Sequence, residues 1–232
     1  MKITMIEAFP FDLRYKPTRD FLVSYGVIDE MRNAIVRVTT DDGVVGYGEL
    51  MPLPLDNRDA CIEDLKNIGK AVIGQDPYEI RELHARMDEQ LSAELPSQEL
   101  LLKGAIDSAL YDIMGRAAGL PVYKLLGGSY NDGVPMHFSI SIGSPEEMGA
   151  DTAARVAEGF RTIEVKLGRF QGELDLDTEI ARIAAIRESA GPDVVIVADP
   201  NIGWTVEEAI NVLPAMEEFG VYIAFDEHGG HL

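Results

Sequence analysis

Two charged residues share one face of what reads as a buried strand, and it is here that the chain can do chemistry. Along residues 162–167 the side chains alternate, with Ile163, Val165 and Leu167 on one face and Glu164 and Lys166 on the other. On an exposed antiparallel sheet such a charged face would simply meet water. A parallel strand between helical crossovers is covered on both sides, so charges directed into the fold need a function. A lysine at the carboxyl end of a barrel strand stands where such folds keep their sites. Desolvation there is expected to lower its pKa toward that of a usable base.

The next candidate is Asp199, which ends the apolar run 194–199 and is followed by Pro200, Asn201, Gly203 and Trp204. A hard cation such as Mg²⁺ takes oxygen ligands, and a strand-end carboxylate near a lysine suits a first ligand. Aspartates at strand ends also serve as turn or cap residues, although Thr205 already caps the next helix. On the residues alone both readings stand. The histidines promise less: His84 on a helix and His137 at a strand start are expected to be packed or exposed, and His228 and His231 to belong to a frayed glycine tail. Trp204 is expected to pack a loop.

The elements that must position these residues form two regions. After a Pro/Gly-marked linker at residues 127–135, strands are expected at 137–141, 162–167, 194–199 and 221–225, with helices between them. Ser144, Pro145 and Glu147, and then Thr205 and Glu208, are capping boxes that start two of those helices, so these acids are structural. The earlier region reads as an antiparallel meander, with strands at 2–11, 33–40 and 44–49 and a hairpin signal at Asp42-Gly43. Helices follow at 58–74, 77–92 and 97–119, the last with Leu101, Ala105, Ala109, Ile113 and Met114 on one stripe. The fold class is therefore α/β: an α+β domain over residues 1–130, then a partial (β/α)8 TIM barrel over 131–232 with about four strands present. A closed barrel takes about 250 residues and about 100 follow the linker, so the chain is expected to be truncated within the fold.

Composition excludes several functions. A formal charge of −20 repels phosphate backbones and anionic lipid, so neither nucleic acid nor a membrane is an expected partner. Most of the acids, including those at 59–63 and 175–179, are expected to be solvated helix faces. One cysteine, Cys61, provides no disulfide frame or thiolate cluster, and is expected to be buried in a protein of the reducing cytoplasm. The amino terminus lacks the apolar run of a signal peptide, and no run approaches membrane length.

Three stretches together resemble the mandelate racemase and muconate lactonizing enzyme family of the enolase superfamily. They are residues 40–49 (TDDGVVGYGE), Lys103 to Asp107 running on to Leu125–Gly128, and Val197 to Asn201 with Gly203-Trp204-Thr205. The resemblance implies a capping domain whose early loop, around residues 15–25 and including Tyr25, closes over a barrel that holds Mg²⁺ (or Mn²⁺) and a small-molecule carboxylate. Family members abstract the proton α to that carboxylate and hold the enediolate against the metal, as racemases or epimerases, dehydratases or cycloisomerases. By the family's motif Lys166 matches the second lysine of a Lys-x-Lys pair, the general base. Asp199 matches the first metal ligand, with Asn201 and Tyr25 as substrate-binding positions. Full-length relatives are expected to be homo-oligomers.

Two departures bear on that expectation. Glu164 stands where the family has the first lysine, and a neighbouring carboxylate should raise the pKa of Lys166 rather than lower it. At the fourth strand the family's metal-binding glutamate is missing, which leaves Glu227 as a displaced candidate ligand. The chain itself is therefore expected to be inactive, and a rival expectation is a non-catalytic fragment that pairs with itself or a partner through open barrel edges.

Overall fold

The computed structural model describes residues 1–14, 21–52, 57–91, 96–131, 133–169 and 172–223. The chain divides into two compact units, Met1–Arg14 with Glu30–Asp132, and Tyr15–Asp29 with Gly133–Leu232.

In the first unit β1 (Ile3–Arg14), β4 (Glu30–Thr40) and β5 (Val45–Leu50) form an antiparallel sheet in the order β1-β4-β5. The meander follows from alternation: Ala34, Val36 and Val38 of β4 are wholly buried while Ile35, Arg37 and Thr39 face the other way. Asp42-Gly43 turns the chain as expected, with Gly43 at φ 83. Three helices cover the buried face: α1 (Arg58–Gly69), α2 (Ile80–Asp88) and α3 (Pro96–Ala118). Their apolar stripes meet β4 in one core that includes Leu65, Leu83, Ile106, Leu110 and Cys61. The buried stripe of α3 runs through Leu102, Ala105, Ile106, Ala109, Leu110 and Ile113, whereas Leu101 is only half-buried. Gly46 and Gly48 let that helix approach β5 closely, since an added Cβ would lie 2.1 Å from Ala109 O and 2.0 Å from Ala105 O.

Two of these helices are shorter than their periodicity predicts. α1 stops at Gly69 because residues 70–72 tighten into turns and Gly74 (φ 81) returns the chain to β1, where Gly74 N donates to Ile3 O at 2.7 Å. α2 starts late because Asp76 holds Pro77–Glu79 in a turn, its carboxylate accepting from Tyr78 N at 3.0 Å. A short α4 (Val122–Leu125) lies in the stretch before the linker.

The second unit is a four-stranded parallel sheet of β6 (His137–Ile140), β7 (Thr162–Lys166), β8 (Val195–Asp199) and β9 (Val221–Ile223), in the order β6-β7-β8-β9. The crossovers are α5 (Pro145–Ala157), α6 (Leu176–Ala190) and α7 (Val206–Glu218). Parallel neighbours in register point the same way, so Ile163, Val165, Ile196 and Ala198 all face the helices. They pack on Met148, Ile183, Ile186, Val212 and Met216. The opposite face carries Glu164, Lys166, Val197 and Asp199. Both capping boxes form, Ser144 with Glu147 and Thr205 with Glu208.

This unit also contains a hairpin the alternation does not announce. β2 (Phe21–Val23) and β3 (Gly26–Ile28) are three-residue strands paired antiparallel. Ile142 N donates to Leu22 O at 3.0 Å and Leu22 N donates to Ser141 Oγ at 2.8 Å, which docks the hairpin on the chain just after β6. Among the described residues no helix is long and apolar enough to cross a membrane.

Candidate active site

Register decides which charges meet. Lys166 and Asp199 are paired positions at the carboxyl ends of β7 and β8. Because side chains on adjacent parallel strands point the same way, the ammonium and the carboxylate come together. Lys166 Nζ lies 2.5 Å from Asp199 Oδ2 and 2.6 Å from Glu164 Oε1. All three side chains are largely buried, at 13–18% exposure.

Glu164 is held from its other side as well. Ser139, its register partner on β6, donates from Oγ to Glu164 Oε2 at 2.5 Å. His137, two residues earlier on the same face, places Nε2 2.9 Å from that oxygen. His137 was expected to be merely packed or exposed. It is half-exposed, yet it belongs to this polar row, because alternation puts it on the face that carries Glu164.

Burial opposes the ionisation of Glu164, but the hydrogen bonds from Lys166 and Ser139 and the charge of Lys166 outweigh it and lower its pKa to about 2. Burial likewise pulls the pKa of Lys166 down, and the hydrogen bonds to Asp199 and Glu164 override it, so the net shift is upward. The expected lowering of Lys166 by desolvation is therefore reversed, and the raising effect of Glu164 is present. In this arrangement Lys166 is a firmly held ammonium.

Asp199 is oriented by the loop that follows it. Asn201 donates to it twice, from the backbone N to Oδ1 and from Nδ2 to Oδ2, each at 2.9 Å. That loop is strained: Asn201 and Ile202 have φ of 44° and 58°, a region β-branched residues avoid. Gly203 N closes it by donating to Pro200 O at 2.7 Å. Ser24, in the β2–β3 turn, donates its hydroxyl to Asn201 O. Tyr25, the expected substrate-binding residue of this segment, occupies the same turn with its side chain exposed. The contact to the Asp199 loop comes from its neighbour. Glu227, with His228 and His231, lies outside the described residues.

Sequence reasoning missed the roles of Ser24 and Ser139, whose partners lie far along the chain, and that of Glu179. Glu179 falls in a stretch of acids expected to be solvated, yet it is fully buried and accepts from the Trp204 indole Nε1 at 2.7 Å. Trp204, expected to pack a loop, packs against the core of the parallel-sheet unit and donates to Glu179 on α6.

An antiparallel sheet with three helices, then a parallel βα region with a lysine and an aspartate at adjacent strand ends, defines a chain of enolase type. Residues 5–127 match the family model described as mandelate racemase / muconate lactonizing enzyme, N-terminal domain, and residues 147–224 match that of an enolase C-terminal domain-like region. The chain belongs to the mandelate racemase / muconate lactonizing enzyme family of the enolase superfamily.

Among its relatives, the hydrophobic dipeptide epimerase of Enterococcus faecalis is 34% identical over 224 residues, covering 95% of this chain and 60% of the epimerase. The N-succinyl-L-Arg/Lys racemase of Bacillus cereus is 34% identical, covering 95% and 57%. The crystal structure of the Enterococcus faecalis dipeptide epimerase complexed with Mg and the dipeptide L-Leu-L-Tyr superposes with a TM-score of 0.84 at 33% identity, over 95% of this chain and 60% of that one. Other relatives are a dehydratase and a cycloisomerase. The chain thus spans about three fifths of the length of the relatives it matches.

Proposed function

We propose that the chain carries the base and the first metal-ligand position of an enzyme that abstracts the proton α to a carboxylate. Racemisation or epimerisation, dehydration or cycloisomerisation would follow from that step. The observation that supports this most directly is the pairing of Lys166 with Asp199 at the carboxyl ends of neighbouring parallel strands, where barrel enzymes concentrate their chemistry.

In this reading Lys166 accepts the proton. It becomes a base only when Asp199 is otherwise engaged, because the two carboxylates together keep it protonated. Glu164, held by Ser139 and His137, fixes where the ammonium sits. Asn201 orients Asp199, and the exposed Tyr25 ring is available to a substrate at the hairpin turn.

The donors present suit Mg²⁺ (or Mn²⁺) on one side. Asp199 is a hard carboxylate, and beside it Asn201 Oδ1 is buried with no hydrogen-bond partner among the described residues. Those two oxygens would hold the ion, which when bound stabilises charge developing on the substrate carboxylate. Among the described residues no group of three or more His, Cys, Asp or Glu could hold a metal. Our reading is that the 232-residue chain by itself binds Mg²⁺ weakly and shows no turnover.

Two measurements test these statements. Fusing residues 1–223 to the remaining carboxyl-terminal part of the Enterococcus faecalis epimerase should give a protein that exchanges the α-proton of dipeptides for deuterium when Mg²⁺ is added. Replacing Lys166 by Met should cost about 10²- to 10⁴-fold in that exchange. Equal exchange with and without Lys166 would remove its assignment as the base. Mg²⁺-dependent exchange by the 232-residue chain alone, on dipeptides or N-succinyl amino acids, would overturn the expectation of inactivity.

A second reading, a non-catalytic chain that associates through its sheet edges, draws on a different observation. Within the described residues β6 and β9 each pair on one side only, Tyr222 is 66% exposed, and Val206, Ile210 and Leu213 form an exposed apolar stripe on α7. Sedimentation of the chain decides it: a compact monomer at micromolar concentration counts against association.

A further inference from the structure

Among the described residues Glu179 is the only charged side chain fully shielded from solvent. A buried carboxylate persists only when it is paired and hydrogen-bonded. Glu179 meets both conditions in a particular way. Its Oε1 accepts from Gly168 N at 2.5 Å and from Trp204 Nε1 at 2.7 Å, and its Oε2 accepts from Arg182 Nη1 at 2.8 Å. Gly168 stands two residues beyond Lys166, and Trp204 five beyond Asp199. Arg182 in turn donates from Nε to Gly143 O at 2.8 Å, in the loop after β6. One carboxylate on α6 is thus joined to the loops that leave three consecutive strands, directly to two of them and through an arginine to the third.

Stability is a poor reason for such a group, since apolar residues of similar volume commonly serve a core as well or better. The loops themselves supply a better one. The segment after Asp199 passes through two positive-φ residues, and a strained backbone persists only where its surroundings over-determine it. The loop after Lys166 leans on that segment: Leu167 N donates to Asp199 O at 3.0 Å, and a Cβ on Gly168 would stand 3.0 Å from Gly203 Cα and from Pro200 O. Glu179 ties the two together from beneath.

We propose that Glu179 is a positioning residue, which through Gly168 and Trp204 fixes the loops after β7 and β8 and so keeps Lys166 and Asp199 opposite each other. The inference rests on the roles proposed above for those two residues, but its test needs neither substrate nor metal, so it can fail while they stand.

The test is site-resolved backbone hydrogen exchange on the 232-residue chain, with Glu179→Ala and Trp204→Phe. In Glu179→Ala the amides of Leu167, Gly168 and Asn201 should exchange about tenfold faster or more, while Val165 and Ile196 inside the strands keep their rates. Acceleration spread evenly over the parallel sheet would show a purely structural group, and unchanged rates at Leu167 and Asn201 would show no positioning; either overturns the proposal. Should Glu179→Ala fail to fold, Trp204→Phe carries the test, because it removes only the indole donor and leaves Gly168 and Arg182 on the carboxylate. Asn201 should then exchange about threefold faster or more with Leu167 unchanged, and an unaltered Asn201 would refute the link.

Discussion

Replacing Glu164 by Gln is the sharpest probe of the charged row on β7. Glutamine keeps the shape and one of the two accepting oxygens, so that its carbonyl can still accept from Lys166 while its amide NH2 faces the Ser139 hydroxyl, and it removes the charge. The carboxyl's drop from the ordinary 4.5 to about 2 corresponds to about 3 kcal/mol of stability at neutral pH, at about 1.4 kcal/mol per pH unit. The row retains 18% exposure at Glu164, so screening reduces the expected loss to about 2 kcal/mol. The sign follows from linkage. A carboxyl more acidic when folded than when unfolded contributes fully above pH 4.5, and that contribution is lost as the pH falls toward about 2. Trp204, the only tryptophan in the chain, lies in the parallel-sheet unit and reports its unfolding by fluorescence. Urea denaturation at a series of pH values should give a gap between wild type and Glu164→Gln of about 2 kcal/mol at neutral pH that shrinks steadily on acidification. A gap that is the same at neutral and acid pH, or absent throughout, would refute the reasoning.

Three further outcomes follow from packing and hydrogen bonding. Gly48→Ala places a Cβ 2.0 Å from Ala105 O; α3 must move about 1 Å off β5, and a loss of about 3 kcal/mol is expected in the first unit, read by hydrogen exchange at Val36 and Val38. Arg187 donates to the carbonyls of Phe219, Gly191, Val194 and Gly220 at 2.7–2.9 Å, so Arg187→Met should cost about 3 kcal/mol by urea denaturation, with Arg187→Lys recovering less than half. Thr205→Ala opens the capping box of α7 and should cost about 1 kcal/mol by the same assay, detectable as faster exchange at Glu208 N.

How far the site was legible depends on the range of the interactions that build it. Glu164 and Lys166 could be placed on one face because a strand repeats every two residues, and Asp199 could be placed at a mouth because an apolar run ended on it. Both inferences are local. Their meeting at 2.5 Å needed the β7–β8 register, which the pattern implies only once the sheet is known to be parallel. His137 reads from the sequence as a packed or exposed residue at a strand start, although the same period of two puts it in line with Ser139 and so beside Glu164. Glu179 was hidden for a different reason. An acid in the first turn of a helix is solvated by default, and only the arrival of Trp204 and Gly168 from two other segments buries it. The β2–β3 hairpin escaped because three residues are too few to show alternation, and its partners Ser141 and Ile142 lie 119 and 120 positions from Leu22.

That last separation has a consequence for how the protein is made. Phe21–Ile28 emerges from the ribosome between two strands that pair with each other, Arg14 opposite Glu30, so its flanks can be settled while it has nothing to dock on. At about 5–20 residues per second the segment waits on the order of 6–24 seconds before β6 is synthesised, and longer for Asn201, which Ser24 engages. Throughout that interval Leu22 and Val23, the latter 1% exposed in the finished fold, face solvent on a nascent chain, the period in which a chaperone would have most to hold.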